Sequence, residues 1–551
     1  MALYKEKKIN TIILILVLIT AFFAIFSPWR LAERELYWDE DYYAVQTLEL
    51  EHTPSTTFAH GEFTYDSSPL FPLIVSKIKS EFSLPIEFVL RLVSVLALVG
   101  IACLVWIAAK KAGGSQAAAV ATAVMISSNI IIEKAIDGYP DTLMLLFLMS
   151  GWLTWFSLGV GRGKWNLAWI LGFLFCGLAF YTQGFMAILY FVFPLIFMRR
   201  PMTIWPKLKK PGFPIGLFIL LLFILLWWLP HLIFAGDVEI RPLVFEGEDI
   251  LDYLQHLVFF PIVIVIRFLP WSVLAWVPFC VAFIPLDKSP IFGRFLRTLF
   301  FATFFALWFM PNFDARNIIL LVPPVAILIG TNYGLFIRRY GRYFPKFYPY
   351  LGWMSILCGG VIMGFYFAPE EWVIPFASFI RGIEFRELAF YQINSYACAG
   401  LMFLIGLILL FYRKIQIWIV ILFFGLTMGL FMWNVIIPYK AQAHGKQILG
   451  GRLREILRKE KIPADEIIYK SAIKDLYGEC YYMGYQVKKI YTLKELPKEK
   501  DVIYLISTDY PQEPSREWTN LLTEIKQYRG RPIGLRRGVL KKRQFKKWLR
   551  K

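Results

Sequence analysis

Long apolar runs alternate with short polar segments along the first 437 residues of the chain. Runs of roughly 18–25 residues are long enough to cross a hydrocarbon core of about 30 Å as a helix. Hydropathy predicts about thirteen such segments. They are residues 12–28, 86–109, 116–132, 141–158, 166–182, 184–198, 213–234, 257–286, 298–310, 317–336, 350–368, 396–412 and 415–437.

The charged residues orient these segments. Alternate loops are rich in lysine and arginine, which favour the cytoplasmic side, and the loops between them carry most of the acidic residues. We therefore expect a multi-pass protein of the inner (cytoplasmic) membrane, with a cytoplasmic N-terminus and its acidic loops outside. No small-residue cleavage site follows the first run, so it is expected to remain as an anchor.

Composition supports this class. Hydrophobic residues make up 58% of the 551 positions and the mean hydropathy is +0.54, values typical of an integral membrane protein. The six cysteines have no metal-ligand spacing and are expected to be packing residues. The histidines are scattered, and His256, at a membrane boundary, is either a substrate contact or a residue without such a role.

A soluble domain is predicted after residue 437, so that residues 1–437 form the membrane domain and residues 438–551 a small extracytoplasmic α/β domain. Its segments "DEIIYK", "VKKIYTL" and "DVIYLIS" are typical of strands. From Lys440 onward 27 Lys and Arg oppose 13 Asp and Glu, and the tail "GLRRGVLKKRQFKKWLRK" is the most basic part. Anionic lipid headgroups or envelope polymers are the expected partners, and a solvated surface without a ligand is the alternative; no nucleic-acid module is present.

Three consecutive acids, in "YWDEDYYAVQ" at residues 37–46, follow the first apolar run. Apolar spacing predicts a helix starting near Asp39, and a second one is predicted at Ser68 and Pro69; both are expected to lie on the membrane interface. Asp39 by itself fits a helix N-terminal charge. Asp137 and Asp141, at the outer end of another span, suggest instead that acids from separate segments line one cavity.

Six ordered motifs within residues 10–340 resemble those of the GT-C superfamily of polyprenyl-phosphate-sugar-dependent glycosyltransferases. This branch includes protein O-mannosyltransferases and the lipid A aminoarabinose transferase. The motifs are "DEDYYA" at 39–44, "SSPLFP" at 67–72, "YPDTLMLLF" at 139–147, "GLAFYTQGF" at 177–185, "LPW" at 269–271 and "ARNIILLVPPVAILIG" at 315–330. The resemblance implies a GT-C-like helical fold with about thirteen transmembrane helices and a trailing soluble domain.

The resemblance also implies roles for individual residues. Asp39 matches the essential acid of the first outer loop, Asp141 matches the acid at the outer start of the fourth span, and Glu40 and Tyr43 match neighbouring motif positions. The chain departs from the aminoarabinose branch at two places. Where that branch has Glu-Lys-Pro-Pro-Leu, this chain has Asp66-Ser67-Ser68-Pro69-Leu70, so the lysine that would face the lipid phosphate is absent, and Gln183 stands where a lysine is common.

A lipid phosphate needs a cation, for which an arginine fork is well suited. Arg316, before "NIILLVPP", is the first candidate and Arg267, before "FLPW", the second; either also fits snorkelling to the headgroups.

The implied reaction is transfer of a sugar from a polyprenyl-phosphate carrier to an extracytoplasmic acceptor. Asp39 would act as general base towards a hydroxyl acceptor, with inversion at the anomeric carbon, or would position an acceptor that is already ionised. No cofactor is expected, although two carboxylates leave a divalent cation open. A polytopic transporter or flippase of a lipid-linked sugar, and a non-catalytic envelope scaffold, are the alternatives.

Overall fold

The computed structural model divides the chain into two compact units. The membrane unit comprises Met1–Glu33 and Phe88–Lys440, and the α/β unit comprises Arg34–Glu87 and Ala441–Lys551. The predicted boundary at residues 437 and 438 stays a prediction. The structure describes residues 10–50, 58–64, 68–234, 250–310, 314–367, 392–412, 414–437, 445–463, 465–471, 476–513, 515–528 and 531–541.

The described part of the chain is mainly helical. In chain order its α-helices are α1 (Thr11–Phe26), α2 (Glu40–Leu50), α3 (Leu70–Phe82), α4 (Ile86–Gly113), α5 (Ser115–Ser127), α6 (Asn129–Lys134), α7 (Asp141–Trp155), α8 (Trp165–Gln183), α9 (Phe185–Ile196), α10 (Gly212–Phe234), α11 (Ile250–Arg267), α12 (Ser272–Ala275), α13 (Pro290–Trp308), α14 (Val322–Tyr340), α15 (Phe344–Phe367), α16 (Gln392–Phe411), α17 (Ile417–Phe431), α18 (Lys446–Lys459) and α19 (Tyr477–Met483).

The long apolar helices confirm a polytopic membrane protein. Within the described residues, ten helices are long and apolar enough to span a membrane, or eleven if one bent pair counts as a span. That pair, Tyr253–Arg267 with Ser272–Phe279, turns by 108° inside the predicted segment 257–286. Two other predicted segments correspond to α5 and α9, which at 13 and 12 residues are shorter than a bilayer core.

The span Ala315–Tyr340 is the most enclosed one in the membrane unit, with 83% of its hydrophobic window buried. Close packing against α5 makes this possible, because a side chain at Gly330 would lie 2.3 Å from the carbonyl oxygen of Ala117. Small residues let transmembrane helices approach in this way. The N-terminal end of this enclosed span carries Arg316.

The C-terminal part of the α/β unit contains a five-stranded mixed sheet. Its strands are β3 (Ile468–Ser471), β4 (Val487–Ile490), β5 (Val502–Ser507), β6 (Arg516–Tyr528) and β7 (Arg531–Leu540), in the order β4-β3-β5-β7-β6. Strands β3, β4 and β5 are parallel, as expected for segments joined through helices, and β7 is antiparallel to both its neighbours. The first loop adds α2, α3 and a hairpin of β1 (Phe58–Ala59) and β2 (Glu62–Phe63).

The predicted α/β domain with its first three strands is therefore confirmed, whereas β6 and β7 were not predicted. Strand β7 overlaps the first part of the basic tail, where the sequence pattern indicated only charge. Its Arg536 is buried, and the guanidinium donates to the carbonyl oxygens of Ser507 and Thr508 at 2.7 and 3.1 Å and to the side chain of Asn520 at 3.1 Å. A residue that looked like surface charge thus ties the end of β5 to the β6–β7 hairpin.

Replacing Arg536 tests this tie. We expect Arg536→Leu to destabilise the sheet locally by about 2–3 kcal/mol, because it leaves buried carbonyl groups without donors. Hydrogen–deuterium exchange of β5 in the full-length protein measures this change. Arg537→Leu, at a half-exposed neighbouring position, is the control, and equal effects of the two variants would contradict the assignment.

Candidate functional site

A partly buried arginine forms the centre of a polar cluster in the membrane unit. Arg316 lies in the short 3₁₀-helix Ala315–Leu321, which leads directly into α14. Asp314 caps this helix by accepting a hydrogen bond from the Arg316 backbone at 2.9 Å, and its carboxylate lies 3.9 Å from the guanidinium. The sequence D-x-R at the start of an apolar helix therefore fixes the position of the cation.

Tyr139 supports the guanidinium from one face. The Arg316 Cζ atom lies 3.5 Å from the centroid of the Tyr139 ring, a close cation–π contact. Tyr139 belongs to the turn between α6 and α7, where its N–H donates to the Asp137 carbonyl at 2.7 Å and its own carbonyl accepts from Ser94 on α4 at 3.3 Å. The buried carboxylate of Asp137 also acts electrostatically on Arg316.

Asp141 is the first residue of α7 and is only 6% exposed. Its carboxylate receives a hydrogen bond from the Gln183 side chain at 2.5 Å. Gln183 ends α8 because Gly184 follows with a φ of +76°, a conformation that favours glycine. The neutral Gln183 amide therefore orients the Asp141 carboxylate.

Two further residues complete the cluster and were missed by sequence reasoning. Asp314 and Asp141 both act electrostatically on Arg316, and both also act on the buried phenol of Tyr190 on α9. In the sequence, Tyr190 is distinguished only by its phenol hydroxyl in an otherwise apolar helix. Asp314 is distinguished only by its position as a helix cap, which does not indicate that it belongs to a functional site.

The second arginine candidate has a different environment. Arg267, the last residue of α11, pairs with Glu133 of α6. His256, also on α11, lies with Nε2 3.1 Å from the Trp308 carbonyl oxygen and packs against the Phe260 ring. These contacts join helices of the membrane unit.

The three consecutive acids of the α/β unit have distinct environments. Asp39 is exposed, immediately before α2, and its carbonyl accepts from Tyr42 at 3.0 Å. Glu40 is fully buried, pairing with Arg34 at 3.1 Å and accepting from the Tyr37 N–H at 2.9 Å. Asp41 is buried against Lys446 of α18 at 2.6 Å. Of the three acids, Asp39 is the exposed residue.

Burial raises the pKa of Asp41 to about 6, although Lys446 acts in the opposite direction. The same lysine donates to the Trp38 carbonyl oxygen at 2.6 Å. Trp38 has a φ of +48°, which is strained for a bulky residue and is maintained by its surroundings. The residue directly before Asp39 is thus held in an uncommon conformation.

Two tyrosines in the first turn of α2 pack against aromatic rings of neighbouring helices. The Tyr43 ring packs edge-on against Phe71 of α3 at 5.7 Å, and Tyr42 packs against Tyr477 of α19 at 5.1 Å. Tyr477 in turn stacks on the buried ring of His60 at 4.8 Å. Asp66, the remaining predicted site residue, lies outside the described residues.

Metal ligands do not converge in the described ranges, where no group of three or more His, Cys, Asp or Glu side chains could hold an ion. The expectation of a metal-free site stays a prediction.

Comparison with known proteins identifies the fold. Residues 66–228 match the family model described as dolichyl-phosphate-mannose-protein mannosyltransferase, which is under a third of the 551-residue chain. This range includes Asp141 and Gln183 but neither Asp39 nor Arg316. A search of curated protein sequences finds no match.

Two crystal structures of ArnT from Cupriavidus metallidurans are similar over nearly the whole chain. The form bound to undecaprenyl phosphate has a TM-score of 0.64 at 15% identity, covering 95% of this chain and 97% of ArnT. The apo form has a TM-score of 0.66 at 14% identity, with the same coverage. The chain therefore shares its overall fold with ArnT. This likeness and the match to the mannosyltransferase family model together confirm the resemblance found in the motifs.

The buried His60 generates a pH prediction for the α/β unit. Burial, with the charges of Lys470 and Lys489, holds the pKa of His60 well below its usual value of 6.5. The native ring stays neutral while the unfolded chain takes up a proton below pH 6.5, so stability falls as pH decreases, by up to about 1.4 kcal/mol per unit.

We expect hydrogen–deuterium exchange of α19 in the full-length protein to accelerate between pH 6.5 and 5, after correction for intrinsic rates. His60→Phe keeps the ring that stacks on Tyr477 and should remove this acid sensitivity. The same pH dependence in the variant and the wild type would assign the effect to another group.

Proposed function

We propose that the protein transfers a sugar from a polyprenyl-phosphate carrier to an extracytoplasmic acceptor. The fold and the partial match to a mannosyltransferase family support the reaction class. The similarity to an ArnT structure that binds undecaprenyl phosphate supports a lipid-phosphate carrier as donor. The observation that carries the proposal is the preorganised Arg316, held by Tyr139 and Asp314 at the end of an apolar span.

Arg316 binds the donor phosphate in this proposal. A guanidinium has five N–H donors in a planar fork that matches phosphate oxygens. Its side chain is 13% exposed, so its charge acts in a poorly hydrated environment where electrostatic stabilisation is strong. As the bond between the anomeric carbon and the phosphate oxygen breaks, negative charge grows on the leaving lipid phosphate and Arg316 stabilises it.

The carboxylates around Arg316 act on the sugar ring or on the acceptor in this proposal. Glycosyl transfer develops positive charge on the sugar ring as the leaving group departs. Asp141, oriented by Gln183, and Asp137 place negative charge near Arg316 and stabilise that positive charge or orient the acceptor. The arginine and the acids therefore have complementary tasks in one reaction.

Asp39 remains our proposed general base. It is the exposed residue of its acidic triplet, and it directly follows Trp38, whose strained backbone is typical of functional positions. Asp39 takes the proton of the acceptor hydroxyl while the hydroxyl oxygen attacks the anomeric carbon opposite the phosphate, with inversion. Because the Glu40 carboxylate is engaged by Arg34 and Tyr37, we assign Glu40 a positioning role, and Tyr43 supports the same helix.

Charge distribution within the membrane unit supports an extracytoplasmic Arg316. Asp141 and Arg316 lie at the N-terminal ends of their spans. At the C-terminal ends, Arg338 and Arg339 lie in the last turn of α14, and Arg162 follows the span Asp141–Val160. Because basic loops favour the cytoplasm, we propose that the acidic cluster opens outward. The same rule supports an orientation in the inner membrane that places the N-terminus in the cytoplasm.

Replacing Arg316 tests its role in the reaction. We expect Arg316→Gln to lower kcat/KM for transfer from a polyprenyl-phosphate sugar by about 10²–10³-fold, since a preorganised charge is lost. Arg316→Lys keeps the charge but lacks the planar fork of donors, so its kcat/KM should lie between those of the wild type and Arg316→Gln. Arg338→Gln, at the opposite end of the same span, is the matched control. Activity of Arg316→Gln within twofold of the control would exclude a role for Arg316 in transfer.

Replacing Asp39 tests the general base separately. Asp39→Asn keeps the size of the side chain and removes its basicity, so kcat should fall by about 10²–10⁴-fold while donor binding persists. Glu81→Gln, an exposed acid on α3, is the control. A variant that folds and inserts normally but transfers at the wild-type rate would leave Asp39 as a helix N-terminal charge.

A further inference from the structure

A cavity of about 940 Å³ lies in the membrane unit where α4 and α7 end and α13 begins. Its walls are mostly apolar and include Leu104, Ala108, Leu153 and Phe292. The Ser150 and Ser289 hydroxyls in the lining donate to backbone carbonyls, at 2.7 and 3.4 Å, so they add little polarity. A volume of this size and an apolar lining are typical of ligand cavities.

This cavity is far from the Arg316 cluster. Asp141 begins the 20-residue span Asp141–Val160, and the cavity lies at its other end. At 1.5 Å per residue the two ends are about 28 Å apart, close to the thickness of a hydrocarbon core. The cavity therefore lies at the opposite face of the membrane.

A change in helix geometry shapes the cavity wall. Residues Phe156–Val160 continue α7 as a π-helix, a rare geometry that often occurs at functional sites. Gly159 allows Trp165 to pack closely, since a side chain there would lie 2.6 Å from the Trp165 ring. Phe156 packs against Phe292 and Phe295 of α13, at 5.0 and 4.7 Å between ring centroids, which fixes the widened turn.

Two cations line the same cavity. Lys111 lies in the last turn of α4 and Arg162 follows the π-helix, and both are exposed. Neither side chain has an ion-pair partner in the ranges that the structure describes. Apolar walls with two cations match the chemistry of a phospholipid, which has acyl chains joined to an anionic phosphate. A zwitterionic headgroup would bring its own cation close to these two.

We propose that this cavity binds one anionic phospholipid, with an acyl chain against α4, α7 and α13 and the phosphate on Lys111 and Arg162. Basic pockets between transmembrane helices on the cytoplasmic side are suited to such headgroups. The site is separate from the sugar-transfer cluster, so neither Lys111 nor Arg162 takes part in the reaction.

Native mass spectrometry of the full-length protein, titrated with phosphatidylglycerol or phosphatidylcholine, tests the proposal. The wild type should bind phosphatidylglycerol at least about tenfold more tightly than phosphatidylcholine. Lys111→Gln with Arg162→Gln should abolish this preference, whereas Lys209→Gln with Lys210→Gln, two exposed lysines outside the cavity, should keep it.

Ala108→Trp tests the apolar part of the cavity independently of its two cations. It fills the apolar wall while both cations remain, and should weaken phosphatidylglycerol binding as well. Equal affinity of the wild type for the two lipids, or unchanged binding by the Lys111 and Arg162 double variant, would overturn the proposal. Displacement of phosphatidylglycerol by an equal concentration of polyprenyl phosphate would also overturn it, because the cavity would then belong to the donor.

Discussion

The Arg316 guanidinium, stacked on Tyr139 among the carboxylates of Asp141 and Asp314, is the interaction on which the membrane unit depends. Charges are costly at the edge of a hydrocarbon core unless they are paired or solvated. Here one cation is balanced by acids from different elements of the fold. Local interactions position these elements: Asp314 caps the 3₁₀-helix that carries Arg316, and Gly184 ends α8 directly after Gln183. The fold therefore holds at one membrane face the opposite charges that glycosyl transfer requires.

The acidic triplet at residues 39–41 shows how one short segment divides its tasks. Glu40 and Asp41 are used for structure, because Arg34, the Tyr37 N–H and Lys446 engage their carboxylates. Those contacts hold the first turn of α2 and the strained Trp38, so the exposed Asp39 sits on a fixed support. The conformational entropy lost in ordering the loop is thereby offset before any substrate binds.

Hydropathy located most of the long helices, because a stretch of apolar residues is a local property of the sequence. It could not show the 108° turn within residues 257–286, which depends on packing rather than on apolarity. Strand β7 was missed because its arginines are typical of surface charge in the sequence, whereas in the fold Arg536 is buried and donates to the Ser507 and Thr508 carbonyl oxygens. Asp141 and Arg316 were found from ordered motifs. Asp314 was missed although it lies two residues before Arg316 in the sequence, and Tyr190 was missed because only tertiary structure brings it to the cluster.

The central claim is that the protein breaks the bond between a sugar and its lipid phosphate, rather than moving the intact lipid. The most direct measurement reconstitutes the purified protein in vesicles with a polyprenyl-phosphate sugar, labelled separately in the sugar and in the lipid, together with an envelope acceptor extract. Our account predicts one polyprenyl phosphate released for each sugar transferred. Movement of the doubly labelled lipid across the bilayer, with no release of polyprenyl phosphate, would contradict it and indicate a flippase.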